Sequence, residues 1–199
     1  IRLSLVGSEM CIRDSLYSPS RMAGLQVVLQ SKASNSIIVE PNPASTTEEF
    51  LQECLDSRVN SLSATPSRWR GLLSSETLIK LPLQNISIGG EIADQVLLDK
   101  LKKTFPGAQI THIYATTETG PVFSVSDCLE GFPAIYLTRT LASGKSLSIV
   151  ENELVVTDVN TGHPGVPREI HTGDLVEISE DRIRSVSYTH LRAHETKAN

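Results

Sequence analysis

Residues 85–120, NISIGGEIADQVLLDKLKKTFPGAQITHIYATTETG, carry the clearest alternation of strand and helix signals in the chain. It predicts a strand at 85–88, a helix at 93–104 and a second strand at 109–114, separated by turn-forming residues. The helix is predicted to bury four apolar side chains: Ala93, Val96, Leu97 and Leu101. Because two strands joined by a crossover helix lie parallel, this stretch predicts a strand–helix–strand unit of an α/β sheet.

The residues before this stretch continue the alternation of strands and helices. Three helices and two strands are predicted: helices at 21–30, after a Ser45–Glu48 capping box and after Thr65-Pro66, and strands at 37–40 and 59–64. The middle helix carries four apolar residues on one face: Phe50, Leu51, Cys54 and Leu55. Residues 16–130 are therefore predicted to form a parallel sheet flanked by helices.

After Gly131 the pattern changes to short strands with turns between them. Strands are predicted at 135–138, 147–150, 154–159 and 175–178, with a tight hairpin at 150–154. Residues 131–185 are therefore predicted to form a small antiparallel or barrel-like β subdomain.

Composition excludes several classes of function. The 199 residues carry a net charge of −5, which argues against a nucleic-acid-binding surface. No apolar run reaches membrane-spanning length. Three scattered cysteines, Cys11, Cys54 and Cys128, do not make a disulfide framework. A cytoplasmic protein is the expectation.

Three short sequences carry candidate chemistry. Gly89-Gly90-Glu91 and the stretch ATTETG at 115–120 each follow a predicted strand. Since ligands of open parallel sheets bind beyond the carboxyl ends of strands, we expect both turns to face one crevice. Thr172-Gly173-Asp174 is a third, with good turn residues. Each alone is also explained by ordinary turn chemistry, but the ordered set is more informative.

In this order, IGGE at 88–91, HIYATTETG at 112–120 and HTGDL at 171–175 resemble the adenylate-forming superfamily. That superfamily includes acyl- and aryl-CoA synthetases, adenylation domains of peptide synthetases, and luciferases. The segment 63–73 is similar to its strand-to-helix passage before the first of these sequences. The resemblance spans most of 17–184 and implies an enzyme that uses ATP to activate a carboxylic acid as its acyl-adenylate.

The resemblance also implies a role for each residue. The nucleotide-binding set is Gly89, Gly90, Glu91, Tyr114, Ala115, Thr117 and Asp174. Within it, the glycine turn lies against adenine, Tyr114 stacks on adenine, and Asp174 binds the ribose hydroxyls. The implied catalytic residues are Thr117, which offers a hydroxyl to a phosphate oxygen, and Glu118, which offers a carboxylate to Mg²⁺.

The implied reaction is attack by the substrate carboxylate on the α-phosphorus of ATP, with pyrophosphate leaving. A thiol, commonly that of coenzyme A, then takes the acyl group. Besides this acyl-CoA synthetase hypothesis, two alternatives stay open. One is an adenylation domain that loads a carrier protein. The other is a non-catalytic nucleotide-binding relative.

The sequence departs from the superfamily's pattern in several places. Ala115 replaces a glycine and adds a methyl group toward the acyl position; with Trp69, it is a candidate lining residue of the acid pocket. The phosphate loop, which should precede Leu16, is not present, nor is the C-terminal domain with its catalytic lysine. Arg182 and Arg184 follow Thr172-Gly173-Asp174 at a shorter distance in sequence than the superfamily's ribose-binding arginine does. We therefore expect this polypeptide to be inactive by itself.

Both ends of the chain have an unusual coding relationship. The DNA word CTCGTGGGCTCGGAGATGTGTATAAGAGAC encodes residues 5–14, and its reverse complement encodes residues 186–195. The same DNA sequence read from opposite strands at the two ends is typical of a sequencing fragment that carries an adapter on each end. We therefore predict that 1–15 and 186–199 derive from adapter DNA and exclude them from functional reasoning.

Overall fold

The structure, a computed structural model, describes residues 12–15, 17, 22–39, 45–159 and 167–186. The chain divides into two compact units. The first extends to Ile113 and includes Ser124–Cys128, whereas the second contains Tyr114–Phe123 and the described residues from Leu129 onward. None of the helices in the described ranges is long and apolar enough to cross a membrane.

Strands and helices alternate along the first part of the chain. The elements are β1 (Ile12–Ser15), α1 (Met22–Ser34), β2 (Ile37–Val39), α2 (Thr47–Asp56), β3 (Ser61–Ala64), α3 (Pro66–Leu72), β4 (Asn85–Gly89), α4 (Gln95–Thr104), β5 (Gln109–Thr116) and β6 (Gly120–Val125). A short 3-10 helix occupies Leu78–Lys80. The strands form one sheet in the order β2-β1-β3-β4-β5-β6, parallel from β2 to β5. The predicted α/β class is confirmed.

Side-chain caps determine where three of these helices, α2, α3 and α4, begin. Thr65 accepts a hydrogen bond from the Arg68 amide, and Pro66 follows it at the first position of α3, as predicted. The predicted Ser45–Glu48 capping box is wrong by one residue, because α2 is capped by Thr46 and Glu49. The Glu48 carboxylate instead accepts hydrogen bonds from the hydroxyls of two later residues, Ser75 and Thr77.

The apolar faces of the helices pack on this sheet around a common core. Its fully buried residues include Leu51, Cys54, Leu62, Trp69, Ile86, Ile88, Leu98 and Leu101. The prediction that Val96 is buried is wrong, because its side chain is 77% exposed and Leu98 is buried in its place. The reason is the phase of α4, which begins after the Asp94 cap and turns Leu97, Leu98 and Leu101 toward the core.

The backbone of β1 pairs with β2 on one side and β3 on the other. Its four residues fall inside the segment that we attribute to adapter DNA. A parallel ladder is made by backbone groups, so this pairing does not test where the sequence came from. The adapter assignment stays a prediction, and most of it lies outside the described residues.

The second unit contains an antiparallel sheet. Its strands are β7 (Phe132–Pro133), β8 (Lys145–Val150), β9 (Glu153–Asp158), β10 (Arg168–Ser179) and β11 (Arg182–Val186), in the order β7-β11-β10-β9-β8. Glu151 and Asn152 both have positive φ angles, as a two-residue type I′ hairpin requires. The predicted β-rich subdomain and its tight hairpin are confirmed.

One element of this unit differs from the sequence prediction. Residues 135–138, predicted as a strand, are part of a 3-10 helix, Ala134–Thr138, in which Ile135 is exposed and the Thr138 hydroxyl donates to the Ile135 carbonyl at 3.0 Å. Arg182 and Arg184 are engaged within the unit. The Arg182 guanidinium donates to the carbonyls of Leu129, Glu130 and Gly131, and Arg184 pairs with the Glu130 carboxylate at 2.9 Å.

Candidate functional site

A bulge in β10 carries the Thr172-Gly173-Asp174 sequence. His171 is in register with Val155 of β9 and Leu175 with Glu153, so three residues of β10 face the single residue Leu154. The predicted turn is therefore an irregularity inside a long strand. Gly173 has a φ of 74°, a conformation that glycine adopts without steric cost. Bulges redirect side chains and are common beside active sites.

Side chains satisfy the backbone groups that the bulge removes from the ladder. The Gly173 N–H donates to Glu153 Oε1 at 2.7 Å, and the Asp174 N–H donates to Thr172 Oγ1 at 3.2 Å. The Thr172 hydroxyl donates in turn to the Leu154 carbonyl at 2.7 Å. The bulge is thus fixed by several hydrogen bonds.

The bulge directs Asp174 toward Tyr114. The Tyr114 hydroxyl donates to Asp174 Oδ2 at 2.5 Å. Burial raises the pKa of Tyr114, and the hydrogen bond to Asp174 and the negative charges of Asp174 and Glu118 raise it further. Tyr114 therefore stays protonated as a hydrogen-bond donor, and two predicted site carboxylates act on the same phenol.

The ring of Tyr114 belongs to an aromatic cluster that was not predicted from the sequence. Phe123 stacks on it with ring centroids 5.1 Å apart and an interplanar angle of 15°. Phe132 and Tyr136 then pack against Phe123, and Arg139 lies over the Tyr136 ring. The sequence signal that could have indicated this cluster is the close succession of Phe123, Phe132 and Tyr136 after Tyr114.

The turn between β5 and β6 presents Thr117 and Glu118, and both are exposed. It is shorter than the predicted 115–120 turn, because Ala115 belongs to β5 and is half-buried there. The hydroxyls of Thr116 and Thr119 lie 2.9 Å apart and the Thr119 amide donates to Thr116. These contacts close the turn and leave Thr117 and Glu118 at its tip.

The Gly89-Gly90-Glu91 turn belongs to the first unit. Gly90 has a φ of 80°, whereas Gly89 ends β4 in register with Ile113. The hydroxyl of Tyr17, a residue not singled out from the sequence, donates to the Gly89 carbonyl at 3.0 Å. Burial raises the pKa of Tyr17, so this donor keeps its proton.

Glu91 caps helix α3 from outside the helix. Its Oε2 accepts the Ser67 amide at 3.0 Å and the Ser67 hydroxyl at 2.6 Å. Partial burial raises the pKa of Glu91, but hydrogen bonds from Ser67 and Thr65 and the charge of Arg70 lower it more, and the net pKa is below its usual value. The carboxylate therefore stabilises the positive end of the helix dipole.

The two glycines of this turn are expected to respond differently to a methyl group. Gly90→Ala places an L-residue at positive φ and is expected to cost about 1–2 kcal/mol of unfolding free energy. Gly89→Ala is expected to cost less than about 0.5 kcal/mol, because its Cβ would lie 3.4 Å from Ile113 O and 3.5 Å from Tyr17 Oη, which are ordinary contacts. Urea unfolding of both variants measures the difference, and equal losses would contradict it.

The cap made by Glu91 is expected to depend on pH. Because its folded pKa is depressed, its contribution is fully present above the unfolded pKa and is lost as pH falls through the folded pKa. Glu91→Gln should therefore lower the unfolding free energy near neutral pH by about 0.3–1 kcal/mol and have no effect in acid. Unfolding free energies at both pH values, with the exposed Glu76→Gln as control, measure this; a loss that persists in acid would contradict it.

The predicted site residues fall into two groups. Tyr114, Thr117, Glu118 and Asp174 lie in the second unit, and Gly89, Gly90 and Glu91 in the first. Trp69 is not a pocket residue, because its ring is fully buried and its Nε1–H donates to the Ser87 carbonyl at 3.2 Å. Among the described residues, no group of three or more His, Cys, Asp or Glu side chains could hold a metal ion.

Solved structures share this fold. A structure of CmiS6 superposes with a TM-score of 0.69 at 18% identity, covering 89% of this chain and 52% of its own. The N-terminal domain of FACL13 from Mycobacterium tuberculosis superposes with a TM-score of 0.63 at 16% identity, and the match covers 92% of this chain and 52% of that domain's chain. O-succinylbenzoate coenzyme A synthetase from Bacillus subtilis, in complex with ATP and magnesium ion, superposes with a TM-score of 0.60 at 17% identity. The match covers 93% of this chain and 43% of the synthetase chain. The chain thus spans about half the length of these proteins.

Comparison with curated protein sequences found no match to this chain. A family model described as AMP-binding enzyme matches residues 22–178. That range contains all three of the short sequences on which the resemblance rests. The chain therefore belongs to the AMP-binding enzymes, the adenylate-forming superfamily that its sequence resembles.

Proposed function

We propose that the complete protein is an AMP-forming ligase that converts a carboxylic acid and ATP to an acyl-adenylate. The observation that carries this proposal is the Tyr114–Asp174 hydrogen bond in the second unit. It joins an aromatic ring suited to a base with a carboxylate suited to vicinal hydroxyls. A nucleoside would use the aromatic ring for its base and the carboxylate for its sugar, so it needs both groups in one place. A residue that only forms a turn needs no such aromatic partner.

Each residue of this group has a proposed task. Adenine stacks on the face of Tyr114 opposite Phe123, and Asp174 accepts hydrogen bonds from the ribose hydroxyls. Thr117 donates its hydroxyl to a phosphate oxygen. Gly90 and its neighbours form the turn against which the adenine edge lies, as the family resemblance implies.

The exposed Glu118 carboxylate fits a magnesium ion. Mg²⁺ prefers oxygen ligands and is usually bound by one or two carboxylates, substrate phosphates and water. Glu118 would therefore hold the ion from the tip of the β5–β6 turn. When bound, the ion neutralises phosphate charge.

The proposed reaction requires no nucleophile from the protein. The substrate carboxylate forms a bond to the α-phosphorus of ATP, the bond from that phosphorus to the bridging oxygen breaks, and pyrophosphate leaves with the electron pair. Catalysis then consists of positioning and charge stabilisation. The Tyr114 phenol, Asp174 and the Thr117 hydroxyl supply the positioning.

We propose coenzyme A as the thiol that accepts the acyl group, in a cytosolic enzyme. One of the proteins that share the fold is a coenzyme A synthetase, solved in complex with ATP and magnesium ion, which supports this choice of thiol and of cofactors. An acceptor thiol on a carrier protein is the alternative. Formation of an acyl-CoA rather than an acylated carrier distinguishes them.

The proposal is tested with the complete reading frame, assembled from DNA trimmed of adapter. The purified protein should exchange labelled pyrophosphate into ATP only in the presence of Mg²⁺ and one member of a carboxylic acid panel. The 199-residue chain should show no exchange, because the phosphate loop and the C-terminal domain are proposed to lie in the rest of the protein. Failure of the complete protein to exchange with any acid would overturn the ligase proposal, and turnover by the short chain would contradict its predicted inactivity.

A further inference from the structure

Glu153 lies on β9 opposite the bulge and contacts it with both carboxylate oxygens. Oε1 accepts the Gly173 N–H at 2.7 Å, and Oε2 lies 3.0 Å from His171 Nδ1, which donates to it. His171 and Gly173 stand on either side of Thr172 in β10. One carboxylate therefore bridges the first half of the bulge.

These contacts determine where Asp174 points. With Gly173 held at positive φ and Thr172 tied to the Leu154 carbonyl, the chain leaves the bulge in one direction. Asp174 is the next residue, and its carboxylate meets the Tyr114 hydroxyl. Loss of the bridge would free the Gly173 amide and with it the conformation of the following residue.

We infer that Glu153 is a positioning residue, which fixes the bulge of β10 so that Asp174 is presented to Tyr114 and to a bound sugar. The sugar-binding part rests on the function proposed above; the positioning part rests on the contacts alone. The contacts with His171 and Gly173 hold the pKa of Glu153 below its usual range, so the carboxylate is charged near neutral pH. A charged acceptor makes a stronger hydrogen bond to an amide than a neutral one does.

Three variants of the 199-residue chain test the positioning. Glu153→Ala removes both contacts. Glu153→Gln keeps an oxygen for the Gly173 amide, and its N–H₂ can donate to His171 Nδ1 in the other imidazole tautomer. Glu169→Ala, an exposed glutamate on β10, is the control for loss of charge. The readouts are the Tyr114 ring and Asp174 carboxyl-carbon resonances by NMR, alongside urea unfolding.

Glu153→Ala is expected to displace both sets of resonances and to speed hydrogen exchange of the Gly173 amide by about tenfold or more. Glu153→Gln should restore the wild-type resonances, and Glu169→Ala should leave them unchanged. A residue that only stabilises the sheet would lower the unfolding free energy without moving Tyr114 or Asp174. Wild-type resonances in Glu153→Ala would overturn the inference.

The sugar-binding part is measured separately, in the complete protein, with ATP and 2′,3′-dideoxy-ATP. If Asp174 binds the ribose, wild type should prefer ATP, and Glu153→Ala should lose about tenfold of that preference while Glu153→Gln keeps it. A wild type that binds both nucleotides equally would end the ribose assignment of Asp174. The positioning of Asp174 by Glu153 would then stand or fall on the resonances alone.

Discussion

Replacing Glu118 by glutamine in the complete protein, the ligase proposed above, is expected to slow pyrophosphate exchange by about 100- to 1000-fold, the loss typical of one preorganised electrostatic contact. Glutamine keeps the size of the side chain and one oxygen acceptor but removes the charge that Mg²⁺ requires. Because Glu118 is exposed at the tip of the β5–β6 turn, its replacement by glutamine should not impair folding, and a loss of this size would reflect the reaction itself. Exchange rates measured over a range of Mg²⁺ concentrations should show that the variant needs more of the ion.

The matched control is Glu177→Gln, which removes the same charge from an exposed position on β10. It should exchange at the wild-type rate and with the wild-type dependence on Mg²⁺. If Glu118→Gln and Glu177→Gln exchanged pyrophosphate at the same rate, Glu118 would not be a metal ligand. If Glu118→Gln were slow but kept the wild-type Mg²⁺ dependence, the residue would act on the reaction in some other way.

Gly131→Ala is expected to destabilise the second unit by about 3 kcal/mol or more, the sum of overpacking and an L-residue at positive φ. Gly131 has a φ of 71°, and a Cβ there would lie 2.1 Å from the Ile183 carbonyl oxygen. The clash is with backbone, which cannot rotate away. It also falls in the loop whose carbonyls accept hydrogen bonds from Arg182, so relief would break those bonds.

Gly120→Ala separates the two contributions to this loss. Gly120 has a φ of 66°, but no described atom lies within 4 Å of a Cβ built on it. Only the backbone term remains, and the expected loss is about 1–2 kcal/mol. Urea unfolding followed by circular dichroism gives both values. Equal losses in the two variants would show that the loop at Gly131 moves aside.

Local patterns predicted much of the first unit because each element carries its own signal. Thr65 and Pro66 marked the start of α3, and the apolar face of α2 was visible from its spacing. Val96 was predicted wrongly because the start of α4 depends on Asp94, and a shift in that start changes which apolar residues point inward. Patterns fix the presence of a helix more firmly than its phase.

Contacts distant in sequence could not be predicted in this way. Thr172-Gly173-Asp174 has good turn residues, and only its pairing with β9 shows that the segment is a bulge in a strand. The bridge from Glu153 to this bulge, and the stacking of Phe123 on Tyr114, depend on pairings that no local pattern encodes. The sequence therefore indicated which residues to consider, and the fold supplied their neighbours.

The stacking of Phe123 on Tyr114 limits how many planar ligands the phenol ring can hold. A free phenol ring is equivalent on its two sides, but this one is covered on one side and anchored at its hydroxyl by Asp174. Only the side away from Phe123 is then left for stacking by a flat ligand. In the proposed ligase, Tyr114 would therefore stack on one adenine at a time, and a second planar compound would have to displace the first.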